Sequence, residues 1–435
     1  MWFRRDLRMD DHPALCHAAR EGREVVPLFV LDPSLIGPSG APRLAFMYRT
    51  LRALDDAIGG RLIVRHGEPT TVLEELVEES GADEVVVTRD AAPYGRRRDA
   101  SVSGRLQAMG VTFTGRSTPY AVAPGTVLKD DGSPYAVFTP FFRGWSRNEP
   151  QMPLAAPEVR WCHADAIRTE VIPPDPPLQC ELPEAGEAAA HDVWMRFREH
   201  AVDRYVEQRN LPGVPGTSHL SPYLRWGNIH PRQLLAELGD TPGQATFRKE
   251  IAWREFYADV LFHQPRTARE NLQPKMDLLV VDEDAAALER FERWATGRTG
   301  YPIVDAGMRQ MLATGWMHNR VRMITASFLV KDLHLPWQWG ARFFMQHLVD
   351  ADLASNQHGW QWTAGTGTDA SPFFRVFNPV GQGEKFDPDG DYVRRWVPEL
   401  ADRLGAAVHQ LTAPMVDHPT ERAEALRRYQ GVTGR

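Results

Sequence analysis

Cysteine is scarce in this chain: only Cys16, Cys162 and Cys180 occur in 435 residues. None lies at metal-ligand spacing, which argues against a disulfide framework and against a Cys-rich metal site. Long hydrophobic runs are missing too. No stretch approaches the roughly 20 apolar residues of a membrane span, and no signal-peptide core opens the sequence, so a cytoplasmic protein is expected. Basic residues are not in excess, with 50 Lys and Arg against 57 Asp and Glu and a formal charge of −7. Nucleic acid is therefore not attracted by the overall field, and any such contact must be local. No Gly-x-Gly-x-x-Gly follows the first strand-like run, which removes the usual dinucleotide signature. The carboxylates Asp350 and Asp352 have no histidine cluster beside them, so a metal is not expected there.

What is present describes an ordinary globular protein, 43% hydrophobic and 25% charged, long enough for two cores. Residues 1–123 alternate short β-branched runs with helical patterns. The runs are Trp2-Phe3, Val25–Leu31, Arg61–Arg65, Glu84–Thr88 and Val111–Thr114, and helical patterns cover Arg49–Ile58 and Thr71–Ser80. Such alternation predicts an α/β domain, a doubly wound parallel sheet covered by helices on both faces. The loop Arg4-Arg5-Asp6-Leu7-Arg8 follows the first strand, at the end of the sheet where ligands are favoured. Between 124 and 187 prolines recur and periodicity fades, which predicts a connection between domains anchored at Phe138–Trp145. From 188 to 435 the pattern is helical, an all-α domain, and there is no internal repeat.

Three stretches of the helical part carry chemistry. In Gly315–Lys331, read as one helix, Trp316, Asn319, Arg320 and Met323 share a face beside Ile324, Phe328 and Leu329, with Arg322 a step round. Burying arginine and asparagine beside tryptophan is costly without partners, so a cleft for an anionic or heteroaromatic ligand explains the mixture. The same stretch holds three basic residues and no acidic one, compatible with a basic face on an acidic body. In Gly216-Thr-Ser-His-Leu-Ser-Pro222, hydroxyls gather at the start of a helix, either an ordinary cap or an anion site. On a helix expected over Phe247–Phe262, Glu250, Trp253, Arg254 and Tyr257 share one face, where Glu250 and Arg254 could also simply pair.

Together with Asp350–Asp369 and its Asn356, Trp360 and Trp362, these stretches resemble the cryptochrome/photolyase family, most closely class I cyclobutane pyrimidine dimer photolyases. The opening Trp-Phe-Arg-Arg-Asp-Leu-Arg, residues 2–8, is similar to the family's N-terminal signature. The resemblance implies an FAD-binding helical domain and a light-driven carbon–carbon lyase acting on pyrimidine dimers flipped out of DNA. By the same resemblance, Thr217, Ser218, Leu220 and Ser221 cradle the flavin diphosphate, with Tyr205 and Arg254 nearby, and Phe247 stands where relatives often have tryptophan. Trp316, Asn319 and Arg322 join the cofactor-binding set. Asp350 and Asp352 lie around the flavin ring and ribityl chain, Arg322 pairs one of them, and Asn356 faces flavin N5. An amide there accepts from N5–H of reduced flavin or donates to the bare nitrogen. Glu250 bonds the flipped pair and is expected to have a raised pKa beside Trp253. Trp253 and Trp362 wall the substrate pocket, and Asn319, Arg320 and Met323 line its rim.

The partner implied is damaged DNA, double- or single-stranded, bound by a monomer without a membrane. A cryptochrome-type light receptor is the alternative on the same scaffold. It is opposed by the presence of Glu250, Trp253 and Met323 and by a chain that stops about 70 residues after Trp362. An unrelated flavoprotein oxidoreductase would need a nicotinamide site that is not visible. Asn319 and Met323 stand where (6-4) photolyases carry histidines, which favours cyclobutane dimers.

Two further expectations concern light and electrons. Folate-type relatives carry an Asn-Glu pair in the loop matching Arg89–Asp99, whereas this chain has Pro93-Tyr94-Gly95. That favours 8-hydroxy-5-deazaflavin as a second chromophore over methenyltetrahydrofolate, FMN or an empty site. Flavin reduction in similar proteins runs through three tryptophans, of which Trp360 and Trp337 match the first two. No tryptophan occurs from Glu255 to Arg293, where the third would fall, so Trp339 is the expected exit.

Overall fold

The computed structural model describes residues 1–148, 151–162, 167–369 and 375–434. The chain divides into two compact units. One comprises Met1–Leu178, Pro183–His200 and Ser218–Pro265, and the other Gln179–Leu182, Ala201–Thr217 and Arg266–Arg435.

In the first unit all strand pairings are parallel. Trp2–Phe3 lies on Leu28–Phe29, Leu28–Leu31 on Ile63–His66, and Glu84–Thr88 on Thr112–Arg116. The run expected as one strand over Val25–Leu31 is split. Pro27 has no N–H to give to a ladder, so Glu24–Val25 pairs separately with Arg160–Trp161. Helices Ala41–Ala57, Pro69–Ser80 and Pro93–Ala108 alternate with these strands. The second of them shows why its limits fall where they do. Glu68 accepts from Thr71 N–H, Pro69 opens the first turn, and Gly81 at φ +65° ends it in a left-handed conformation that disfavours larger residues. Its apolar face, Val72, Leu73, Leu76 and Val77, packs with Trp2, Leu28, Val30, Ile63, Val85 and Val87 into the core under the strands.

The first unit takes in the segment Ser218–Pro265, and loop residues near the N-terminus are bonded to it. Loop Arg4–Arg8 is a buried lock in which Leu7 N–H donates to Trp226 O at 3.2 Å and Asn228 Nδ2 to Leu7 O at 2.9 Å. Asp11, fully buried, takes two bonds from Arg232, at 2.7 and 3.2 Å. Burial alone would raise the pKa of Asp6. The charge and hydrogen bond of His12, with bonds from Arg4 and Thr88, instead hold it at about 2.

The long helix Pro242–His263 is fastened in the same way. Glu255 accepts from Ala121 N–H at 2.5 Å, Val122 N–H at 3.0 Å and Trp145 Nε1 at 2.7 Å, and Asp259 accepts from Gly125 N–H at 2.7 Å. Gly125 sits at φ +88°, and a Cβ there would stand 2.4 Å from the Phe262 ring. The expected anchor is a helix, Phe138–Trp145, with Phe138, Phe141 and Trp145 buried.

The second unit is helical, around Trp294, Tyr301, Val304, Met308, Val321, Ile324, Phe328, Phe344 and Trp360. The stretch read as one helix from Gly315 to Lys331 is three pieces. Gly315, at φ +65°, closes the helix Pro302–Thr314, and residues 316–318 form an irregular link to the next helix. Helix Asn319–Ser327 begins at His318, whose Nδ1 accepts from Arg320 N–H, and a π-helical turn covers Phe328–Asp332. Trp316 therefore precedes the helix and does not continue its stripe. Lys331 is no surface cation either. It is 1% exposed, donates to Arg375 O at 2.8 Å, and burial lowers its pKa to about 8. Among the described residues no helix is long and apolar enough to cross a membrane.

Candidate active site

The expected site residues fall on both units. The first carries Ser218, Leu220, Ser221, Phe247, Glu250, Trp253 and Arg254, and the second the remainder.

In the first unit the short helix Ser221–Trp226 starts without a side-chain cap, and Ser218 Oγ accepts from Leu220 N–H at 3.4 Å. Arg254 spends both terminal nitrogens on backbone, donating to Pro119 O at 3.0 Å and Leu224 O at 3.1 Å, with its guanidinium over Tyr120. Phe247 stacks on Trp194 and tilts against Phe197, so it is an element of an aromatic group that its sequence position did not reveal. Glu250 and Trp253 share a face of their helix and are half-buried. Trp253 lies flat on Phe138, ring centroids 3.7 Å apart and planes 11° from parallel, so Phe138 backs one face of the indole.

In the second unit Tyr205 is buried with Arg209 over its ring, and Thr217 is half-buried. Arg322 donates to Met317 O at 2.8 Å and to Asp350 Oδ2 at 2.7 Å. Asp350 is 7% exposed and its Oδ1 is buried with no hydrogen-bond partner among the described residues. An orphaned carboxylate oxygen is costly, and a donor supplied by a ligand is the natural remedy. Asp352 caps the helix Leu353–Ala364 through Ser355 N–H.

One turn further on, Asn356 donates from Nδ2 to Ala341 O at 3.0 Å and to Gln357 Oε1 at 2.8 Å. Ala341 O is a carbonyl and only accepts, so the amide nitrogen must face it, and the Asn356 carbonyl oxygen is left as an acceptor. This orientation leaves Asn356 an acceptor to offer a ligand, not a donor. Gln357 is held in turn by donating to Ala268 O at 2.7 Å.

The indole rings occupy the core of the same unit. Trp360 meets Trp294 edge-on at 6.1 Å, and its own Nε1 is buried with no partner among the described residues. Trp294 in turn meets Phe291 at 5.6 Å, and Phe291 meets the half-buried Trp339 at 5.6 Å. Trp337 donates to Asn271 Oδ1 at 2.9 Å. Of the residues expected at the substrate pocket, Asn319 is exposed, and Arg320, Met323 and Trp362 are half-buried. Arg320 bonds Asn210, a residue that nothing in the sequence pattern marked.

In the α/β part, Tyr94 donates to Asp32, and Arg98 contacts Asp90 and Asp99. Arg4 and Arg98 each lie 4.9 Å from the Trp2 ring centre. A Cβ on Gly95 would collide with the Asp90 side chain, so glycine lets the first turn of helix Pro93–Ala108 pack against it.

Residues 1–158 match the model of the DNA photolyase family, and residues 247–431 match the FAD binding domain of DNA photolyase. The chain belongs to the DNA photolyase family. A deoxyribodipyrimidine photo-lyase of Agrobacterium fabrum is 38% identical over 99% of this chain and 97% of the relative. A class III photolyase from Agrobacterium tumefaciens, solved by crystallography, superposes with a TM-score of 0.89 at 37% identity, covering 100% of this chain and 97% of that one. An archaeal photolyase from Sulfolobus tokodaii, crystallised with two FAD molecules, gives 0.86 at 29% identity, with 99% of each chain covered. The Agrobacterium structure carries the class III name, where the sequence resemblance points to class I.

Proposed function

We propose that the chain repairs cyclobutane pyrimidine dimers in DNA in a light-dependent reaction, as a deoxyribodipyrimidine photo-lyase using FAD. The observation that carries this reading is the full-length similarity to a relative named for that activity. Reduced FAD, when bound, supplies the photoexcited electron that opens the cyclobutane ring and takes it back afterwards.

The chain's residues hold and tune. Thr217, Ser218, Leu220 and Ser221 are assigned to the diphosphate, with Tyr205, Arg254, Trp316, Asn319 and Phe247 around the cofactor. Arg322 fixes Asp350 so that its orphaned oxygen accepts a ligand proton, and Asp352 completes the acidic pair. Asn356 offers an oxygen acceptor to N5–H and so favours the reduced cofactor. Glu250 bonds the flipped pyrimidines, Trp253 and Trp362 stack on them, and Arg320 and Met323 border the opening. Trp253 enters this role already backed by Phe138, so only one of its faces is offered to a base. Flipping costs a few kcal/mol, least for a damaged and poorly stacked pair, and this selects lesions without base readout. Trp360 and Trp337 are assigned to electron supply, with the Trp360–Trp294–Phe291–Trp339 contacts supporting an exit at Trp339.

The second chromophore is proposed to be 8-hydroxy-5-deazaflavin. Extraction from purified protein yields it if the reading is right, and recovery of methenyltetrahydrofolate refutes it. The protein is proposed to act as a cytoplasmic monomer. The deciding assay is repair of a defined thymine dimer by purified protein in light and in dark. Repair in light alone is expected, whereas equal repair in both sinks the proposal. Binding without repair in light favours the cryptochrome alternative, and NADH oxidation in the dark favours an oxidoreductase.

A further inference from the structure

Three indoles of the second unit meet three different environments at Nε1. Trp360 Nε1 is buried with no partner among the described residues, and Trp294 Nε1 donates to a backbone carbonyl, Thr325 O at 3.0 Å. Trp337 Nε1 donates instead to a side chain, Asn271 Oδ1 at 2.9 Å, and Asn271 Nδ2 donates to Asp277 Oδ1 at 2.7 Å. Both ends of that amide are fixed by chemistry. An indole N–H only donates, so it selects the oxygen, and the nitrogen is left facing the carboxylate. Trp337 is thus bonded to a neutral acceptor that a negative charge polarises from behind.

The loop that carries Asn271 is fastened to the helix that carries Trp360. Arg266 donates to Asn271 O at 2.6 Å and to Leu272 O at 2.8 Å. Gln361, fully buried and next to Trp360 in the chain, accepts from Leu272 N–H at 2.9 Å and donates to Thr267 O at 2.9 Å and Glu270 O at 3.2 Å. Trp337 opens the helix Trp337–His347, on which Gly340, one turn on, lies so near Trp360 that a Cβ there would collide with its ring. The acceptor therefore has a fixed place relative to both indoles.

We infer that Asn271, backed by Asp277, is a positioning residue for electron supply that makes Trp337 easier to oxidise than Trp360. The inference rests on the assignment of Trp360 and Trp337 to electron supply. Once Trp360 has given one electron to photoexcited oxidised flavin, Trp337 gives one electron to Trp360. Trp360 is then neutral again and Trp337 is a cation radical. No proton leaves Trp337, because an amide oxygen is too weak a base to take it. The positive charge stays on the ring, and the bond to Asn271 becomes charge-assisted, roughly twice as strong as a neutral one. Trp360, with no acceptor among the described residues, gains nothing comparable. The vacancy on Trp337 is favoured over one on Trp360 by roughly tenfold, and an electron from a thiol reductant in solution finally fills it.

The test uses FAD-loaded protein with the flavin oxidised. Wild type, Asn271→Leu, Asp277→Asn and Trp337→Phe are compared, with FAD content and melting temperature as folding controls. The NMR resonance of the Trp337 indole N–H, assigned by its loss in Trp337→Phe, reads the hydrogen bond in the dark. Flash absorption reads the lifetime of the tryptophan radical and whether it is cationic or neutral. Asn271→Leu is expected to move the resonance upfield and to shorten the radical's lifetime roughly tenfold, because the vacancy returns to Trp360 and recombines there. Asp277→Asn keeps an acceptor for Asn271 Nδ2 and removes the charge. Asp277 is exposed and its charge is screened, so a smaller loss, about threefold, is expected. The wild-type radical is expected to be cationic.

If Asn271→Leu moves the resonance and leaves the radical lifetime at the wild-type value, the hydrogen bond does not tune oxidation, and the inference fails while the assignment of Trp337 stands. An unmoved resonance, or a neutral radical on Trp337 in wild type, overturns it as well. If Trp337→Phe photoreduces like wild type, Trp337 is off the route, and both its assignment and the inference fall. None of these outcomes bears on repair by chemically reduced protein, which the assay in light and dark decides separately.

Discussion

Arg322 and Asp350 form an ion pair at 2.7 Å, and the carboxylate oxygen that Arg322 does not reach is buried with no partner among the described residues. The pair is therefore half of a site. Arg322→Ala would leave a buried carboxylate with neither oxygen bonded, at a cost of about 3 kcal/mol in the cofactor-free protein. The expected result is a lower melting temperature and protein purified with little FAD. Full flavin occupancy in Arg322→Ala would show that Asp350 is not a cofactor contact.

Asn356 makes a second prediction because its orientation is forced. Its nitrogen faces the carbonyl of Ala341, so its oxygen is the acceptor available to the N5 contact proposed above. Asn356→Leu removes that acceptor at similar volume. Chemically reduced FAD in this variant should reoxidise in air several-fold faster than in wild type, followed by recovery of flavin absorbance. Unchanged reoxidation would detach Asn356 from N5.

Much of this was legible in the sequence, and the failures share a cause. Alternation of strands and helices announced the α/β part, and the spacing of Glu250 and Trp253 placed them on one helical face. Periodicity could not show that Gly315 ends a helix by taking φ +65°, which leaves Trp316 in an irregular link between helices. It also could not show that Lys331 is buried, because the cost of burying an amine is met by Arg375 O and the face of Tyr429, both far along the chain. Arg4–Arg8 stands at the strand end where ligands are favoured, yet its partners are Trp226, Gly227 and Asp99. Asn210 bonds Arg320, and Phe138 backs Trp253. A residue whose role is to hold another carries no motif of its own.

The aromatic contacts sharpen the expectation for electron supply. Trp360 touches Trp294, and from there Phe291 leads to Trp339, which reaches the half-buried layer without a tryptophan between Glu255 and Arg293. Trp360→Phe should abolish rapid photoreduction of oxidised FAD, and Trp339→Phe and Trp294→Phe should each slow it. Flash absorption reads both the flavin and the tryptophan radical. Wild-type photoreduction in Trp339→Phe would move the exit elsewhere.

His358 supplies a prediction about pH. It is fully buried on helix Leu353–Ala364, with Nε2 3.4 Å from Thr267 Oγ1, and burial lowers its pKa to about 4 from 6.5. Between those values the unfolded chain binds the proton and the folded chain does not. The stability tied to neutral His358 is therefore complete above pH 6.5 and is lost as pH falls toward 4, by about 2 kcal/mol at pH 5. Asp332 acts in the opposite sense. Burial, only partly offset by His418, raises its pKa to about 6, so the folded state takes up that proton first and gains stability on acidification. Comparing wild type with His358→Gln removes the Asp332 contribution, which is common to both. Denaturant titrations at pH 7.5 and pH 5 should show the wild type losing about 2 kcal/mol more than the variant. Parallel losses in the two proteins would mean that His358 is protonated in the folded state.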